Sequence, residues 1–239
     1  WENYGSENVW VNTMIGDGGQ SGFDATDPSF RFHTFFDASP DVNFSDGAME
    51  DWNWIADPIF GTGGLFYVPI ISDPVVHRTM FVGTTTALRT KTHGMGSMSL
   101  DEFREQCNEW TGLFQVTCGD WEPLGTTPLN AAGWGDRAGG SVSIVERAEQ
   151  DTSTLWAATI NGRVFISHNA DADPASAVTF LRLDSLSTAD PPRFPTGLTI
   201  DPDNENHAWI TYSGFNAATP AEPGHIFSVT YDPDTGTAT

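Results

Sequence analysis

Ser21-Gly22-Phe23-Asp24-Ala25-Thr26-Asp27-Pro28, then an aromatic run at 31–36, then Val42-Asn43-Phe44-Ser45, is the stretch whose pattern organises the chain. It reads as a strand ending near Asp-Pro, a polar turn, an aromatic strand, a second turn, and a strand ending in Ser or Thr. The same order returns three times. The second copy is Val68-Pro69-Ile70-Ile71-Ser72-Asp73-Pro74, then 79–84, then Ala87-Leu88-Arg89-Thr90. The third is 141–147, then Thr154-Leu155-Trp156-Ala157-Ala158-Thr159, then 163–167. The fourth is Gly197-Leu198-Thr199-Ile200-Asp201-Pro202, then 207–212, then 225–229.

Fourth strands are visible after three copies, at Trp52-Asn53-Trp54-Ile55, around 121–124, and at Phe180-Leu181-Arg182-Leu183. The Asp-Pro steps that close the first segment of a copy begin at 27, 73 and 201, so the second interval holds two units, one enlarged by an insertion. A unit of about 40–50 residues with several short strands is the signature of propeller blades. A β-sandwich also has regularly spaced strands, but the return of the whole order favours the propeller. The expected fold class is all-β: a β-propeller with about four blade repeats, partial or a fragment of a larger propeller, and one short helical insertion. The units lie near 20–60, 65–125, 139–185 and 195–239, with 8–15 as a closing or preceding-blade strand. The last unit is expected to stop after its third strand.

Composition narrows the partners. The 239 residues carry 10 Lys+Arg against 32 Asp+Glu, a net charge of −22, and Lys91 is the only lysine. Phosphate binding runs on clustered Lys and Arg, so nucleic acid is excluded as a partner. Docking on anionic membranes is disfavoured for the same reason. No apolar run approaches the roughly 18 residues of a membrane span, so membrane insertion is not expected. With 38% hydrophobic and 12% aromatic residues, the chain has the material for a sizeable core. Such an acidic balance suits salty or extracellular surroundings. The chain starts at Trp1, which implies a removed leader or a piece of something longer.

The repeats resemble the Asp-box (BNR) propellers, which include sialidases, sortilin-type receptor domains and xyloglucanase-like glycosidases. The family's box reads roughly Ser-x-Asp-x-Gly-x-Thr-Trp, on the turn between a blade's third and fourth strands. Ser45-Asp46-Gly47 with Asp51-Trp52 is the best copy. Thr90-Lys91-Thr92-His93-Gly94 and Ser167-His168-Asn169-Ala170-Asp171 are degraded ones, and Gly16-Asp17-Gly18-Gly19 is similar to the lead-in of xyloglucanase-like propellers. The box is structural in this reading: Asp46 and Asp171 serve their turns and Trp52 packs into the blade. The resemblance implies a secreted or cell-surface binding or scaffold module for glycan or protein, with a glycoside hydrolase as the alternative. Further blades, from the same parent chain or another, would be its partners. Sialidase chemistry would need an arginine cluster and a Tyr-Glu pair, and neither an Arg-Ile-Pro lead-in nor such a pair is found. In xyloglucanase-like enzymes the acids come from two propellers across a cleft, so one partial propeller would supply at most half of that machinery.

Between the second and third units, Ser99 with Glu102 matches a capping box, and Leu100, Phe103, Cys107 and Trp110 fall at helical spacing. A short amphipathic helix is expected there, followed by a strand-like Phe114-Gln115-Val116-Thr117-Cys118. Cys107 and Cys118 pair if the compartment is oxidising; otherwise they are two buried thiols. The insertion would either shape a binding rim or brace the fold.

The candidate catalytic residues are Asp17 and Asp136, each after a glycine and shortly before a first strand. Paired carboxylates could work on a glycosidic bond at roughly 5–9.5 Å separation; the same residues also fit plain turn caps. Trp134, Trp121 and Arg137 are the candidate binding residues, with Trp156 read as core packing. For metal, Asp171 with Asp173 and Asp201 with Asp203 supply the hard oxygens that calcium accepts, short of EF-hand spacing. No His/Cys set has zinc spacing. Asn43-Phe44-Ser45 matches a glycosylation acceptor but falls in an expected strand.

Overall fold

The computed structural model describes residues 12–14, 16–187, 190–214, 220 and 223–239. Four antiparallel four-stranded sheets form, each built from consecutive strands in sequence order. The first holds β1 (Ser21–Phe23), β2 (Arg31–Thr34), β3 (Pro40–Asn43) and β4 (Trp52–Trp54). The second holds β5 (Ile70–Ser72), β6 (Met80–Gly83), β7 (Ala87–Thr90) and β8 (Glu122–Pro123), with helix α1 (Leu100–Cys107) inserted before β8. The third holds β9 (Val142–Arg147), β10 (Leu155–Thr159), β11 (Val164–Ser167) and β12 (Leu181–Arg182). The fourth holds β13 (Pro195–Asp201), β14 (Asn204–Tyr212), β15 (Ile226–Asp232) and β16 (Thr237–Ala238). The fourth unit therefore does not stop at its third strand: β16 pairs with β15. Of the expected strand at 8–15, residues 8–11 and 15 lie outside the described residues, and 12–14 form no strand.

This is the all-β propeller fold, with four blades and one short α-helix among the described residues. Its contacts define two compact units, one of residues up to Phe81 with 90–122, the other of 82–89 with 123–239. In the second unit, Trp156, Ala158 and Ile166 of the third sheet meet Leu198, Ile200, Ala208, Ile210 and Tyr212 of the fourth in one buried cluster. Strands β10 and β11 are buried at every position, so they read as apolar runs rather than alternating ones.

Two turns repeat with the same chemistry. After each first strand an aspartate accepts the amide of the residue two ahead: Asp24 from Thr26 (2.7 Å), and Asp73, Asp151 and Asp201 from Val75, Ser153 and Asp203 (2.9 Å each). This is the Asx turn. In the first unit the equivalent of Asp73 is thus Asp24, not Asp27 of the Asp-Pro step. After each third strand the strand's last residue caps the following turn. Asn43 accepts from Ser45 (2.9 Å) and Gly47 (2.8 Å), Thr90 from Thr92 (3.1 Å) and Gly94 (3.0 Å). Ser167 accepts from Asn169 (3.3 Å) and Asp232 from Asp234 (2.9 Å). The first cap is Asn43, two residues before the Ser45 that heads the motif in sequence.

Ser99 and Glu102 form the complete capping box of α1, and Cys107–Cys118 is a disulfide with S–S 2.05 Å. Residues 114–118 are irregular rather than strand-like, because their backbone pairs with the end of α1 and with Asp57 instead of a sheet. Arg104 donates to Asp51 (2.6 Å), Asn108 to the Glu50 carbonyl (2.7 Å), and Glu109 N–H to the Trp52 carbonyl (2.9 Å). The insertion covers the outer edge of β4, which would otherwise present unpaired backbone groups.

Candidate functional site

The ends of the first sheet differ in chemistry. At the end carrying the β2–β3 turn and the exit from β4, large aromatic side chains are left on the surface. Phe36 (40% exposed), Phe60 (48%), Phe66 (51%) and Tyr67 (55%) are the most open of them. Trp54 and Phe36 each meet Phe60 edge-to-face, at 5.6 and 6.2 Å between centroids. Phe35 joins Phe36 at 4.8 Å, and Phe66 joins Tyr67 at 4.9 Å. A parallel bridge between Asp37 and Tyr67 brings the two groups together. The loop approaches closely because Gly64 has no side chain: a Cβ there would lie 2.8 Å from Val68 and 3.2 Å from Asp37.

Carboxylates rim this surface. Asp57 accepts the Trp54 indole N–H (2.7 Å), which fixes the ring, and also the Cys118 amide (2.7 Å). Asp37 sits in the left-handed region at φ 55°. Asp17 is exposed beside the patch, since Gly16 lies against the Phe35 ring so closely that a Cβ would be 2.4 Å from it. Asp17 thus borders an aromatic surface that the sequence reading did not single out. The signal available was Phe60-Gly61-Thr62-Gly63-Gly64-Leu65-Phe66-Tyr67, aromatics placed in a glycine-rich loop rather than in a strand.

The other candidates gather in the second unit, around the start of β11. Arg163 is fully buried and donates five hydrogen bonds to four carbonyls: Leu129 (3.0 Å), Ala131 (2.9 Å), Gly135 (2.8 Å) and Asp136 (2.8 and 2.6 Å). Arg182 binds the buried carboxylate of Asp184 (3.0 Å) and the carboxylate of Asp136 (2.6 Å). Arg137 reaches Asp190 (2.6 Å) and Asp184 (3.3 Å), and Tyr212 donates to the other oxygen of Asp190. Asp184, Asp190, Val164 and Phe227 help line a cavity of about 50 Å³, room for a few waters.

Asp136 keeps its side chain 73% exposed, and its hydrogen bond from Arg182 holds its pKa below the usual carboxylate value. Arg137 joins the network, and Trp134 packs on Phe165 at 5.2 Å with its N–H given to the Pro128 carbonyl. Trp121 is not a surface platform. It is 5% exposed and donates to the Ile55 carbonyl, so its ring is core packing, as is the fully buried Trp156. The residues missed were Arg163, Arg182, Asp184, Asp190 and Tyr212, scattered over 50 positions with no motif to link them.

Burial raises Asp190 from 3.8 to about 6, against the hydrogen bonds from Tyr212 and Arg137. Between these values the native state holds more protons than the unfolded one, so this group's contribution falls as pH rises through the window. In Asp190→Asn that dependence disappears. Urea titrations should show wild type gaining on the variant, by up to about 3 kcal/mol between neutral pH and about pH 4. An unchanged difference would mean that Asp190 titrates normally.

The four calcium candidates are not brought into one cluster. Asp201 accepts from Asp203 and contacts His207 (2.8 Å), and Asp173 pairs with Arg89 (3.2 Å). Among the described residues, one set of three His, Cys, Asp or Glu side chains has ligand atoms within 4.8 Å of one another: Asp24, His77 and His93.

No family model matches the chain, and the comparison with curated proteins gives no match either. Solved structures similar over nearly the whole chain include a GH74 enzyme from Niastella koreensis, at 13% identity and TM-score 0.51, covering 93% of this chain and 29% of that one. A putative phosphatase from Bacteroides thetaiotaomicron is 11% identical with TM-score 0.53, covering 93% and 44%. An auxiliary nutrient binding protein from the same organism is 12% identical with TM-score 0.51, covering 94% and 41%. This chain spans less than half the length of each. The likeness at these identities is one of fold, the β-propeller.

Proposed function

We propose that the chain is a glycan-binding module of the Asp-box propeller group, working at the cell surface or in secretion. The observation that carries this reading is the surface of exposed Phe36, Phe60, Phe66 and Tyr67, with half-buried Trp54, rimmed by Asp17, Asp37 and Asp57. The electron-rich face of an aromatic ring attracts the C–H face of a sugar, and carboxylates accept its hydroxyls. The capped turns after each third strand support the Asp-box assignment, since they repeat the family's turn chemistry with Asn, Thr, Ser or Asp at its head. The disulfide supports an oxidising compartment.

Electrophoresis through gels containing soluble polysaccharides tests the reading. At least one glycan should retard the protein, and Phe60→Ala with Tyr67→Ala should weaken that retention about tenfold or more, from the loss of two rings. Both side chains are exposed, so the fold should survive. Mobility that no glycan changes would sink the proposal. Glycoside hydrolysis is the second reading, favoured by one observation: Asp190 is raised while Asp136 stays ionised, and Arg137 touches both. Release of reducing ends, lost in Asp136→Asn, would favour it instead.

A further inference from the structure

We propose that Asp24, His77 and His93 form a binding site for one divalent transition-metal ion of the zinc class. They come from three separate turns: Asp24 follows β1, His77 lies between β5 and β6, and His93 follows β7. Oδ2 of Asp24 is 2.8 Å from Nε2 of His93 and 3.4 Å from Nδ1 of His77. Ligands about 2.0–2.2 Å from a tetrahedral zinc stand roughly 3.3–3.5 Å apart, close to the two Asp24 distances, and all three ligand atoms lie within 4.8 Å of one another. A plain Asp–His hydrogen bond uses one imidazole. Here two of the chain's six histidines point ring nitrogens at one carboxylate oxygen.

The surroundings hold two of the three ligands in place. The other oxygen of Asp24 accepts from the Thr26 amide (2.7 Å) and hydroxyl (2.6 Å), and Oδ2 accepts from Arg78 N–H (3.1 Å). The His93 ring lies flat on Phe30, 3.6 Å between centroids and 9° between planes. Such supporting contacts orient ligands before the metal arrives. His77 is the adjustable member: its side chain is 51% exposed, and its Nδ1 now contacts the Thr26 hydroxyl at 2.7 Å. Its exposure leaves a solvent-facing side for a fourth ligand, water or an added group. Two imidazoles and one carboxylate suit zinc, cobalt or nickel rather than calcium or magnesium, and the net charge of −22 favours cations near the surface.

Calorimetry with Zn²⁺ on chelator-stripped protein, and visible absorption with Co²⁺, test the site. Wild type should bind one equivalent, with a cobalt spectrum of low coordination number and a Tm that rises with zinc concentration. His77→Ala, at a half-exposed position that does not threaten the fold, should weaken binding about 100-fold or more. His207→Ala removes another tight His–Asp pair, with Asp201, and should leave binding intact. Absence of stoichiometric binding, equal binding in His77→Ala, or equal loss in His207→Ala would overturn the proposal. The aromatic surface lies at the other end of the first sheet's strands, so a failure here leaves the glycan reading standing, and the reverse holds too.

Discussion

Replacing Arg163 by methionine is expected to destabilise the protein by about 3–5 kcal/mol, the cost of stripping a buried polar network of its centre. The guanidinium uses all five N–H donors on carbonyls of the segment that enters the third sheet, from Leu129 to Asp136. Methionine fills much of the volume but leaves those acceptors without donors. The removed charge had been desolvated, and burial holds the Arg163 pKa below that of a free guanidinium, so part of the loss is offset. Arg163→Lys separates the terms: it keeps a charge but has three donors and no planar fork, and should recover less than half of the loss. Urea unfolding would measure both. A Met variant within 1 kcal/mol of wild type would show that the segment holds its shape without the arginine.

Asp184→Ala is the second large effect, expected at about 3–5 kcal/mol, because it leaves buried cations without their anion. Asp184 is inaccessible to solvent, accepts the Val164 amide at 2.9 Å, and meets both Arg182 and Arg137. Its charge also raises the pKa of Asp190, so the variant should lower the Asp190 pKa while destabilising the fold. NMR titration of the Asp190 carboxyl carbon would read this second effect. A pKa that stays near 6 would mean that desolvation alone sets it. Arg137 and Arg182 retain Asp190 and Asp136 as partners, so the variant should unfold at lower urea rather than fail to fold.

Asp136 follows a glycine ahead of a first strand, and Arg137 and Trp134 are the binding candidates beside it; the three sit in one polar cluster. Their partners, however, are mostly internal: Arg163 is spent on carbonyls, and Arg182 and Arg137 on buried carboxylates. A substrate carboxylate would have to compete with Asp184 for those forks. Asp17 fares differently, because it stands exposed beside rings that are open to a ligand.

Features governed by near neighbours in the chain were legible from residue order. Strand repeats follow from patterning, the α1 start from Ser99 and Glu102, the capped turns from Asp, Asn, Ser and Thr at strand ends. The Cys107–Cys118 loop is short enough for its pairing to be anticipated. The expectation of no nucleic-acid partner came from charge balance, without reference to any fold. The aromatic surface, the Asp24–His77–His93 set and the Arg163 hub depended on folding instead. The aromatic surface adds Phe36 and Trp54 to the rings of the loop at 60–67, the other two sets draw their members from separate turns, and antiparallel pairing brings together turns whose separation in sequence is set by loop length rather than by any motif. Zinc-type spacing was absent for this reason: His77 and His93 reach Asp24 from two other turns, over 53 and 69 residues of chain. Burial was equally beyond residue order. Trp121 and Phe60 are both aromatic and both near glycine, yet packing in the folded chain buries the first and leaves the second open to solvent.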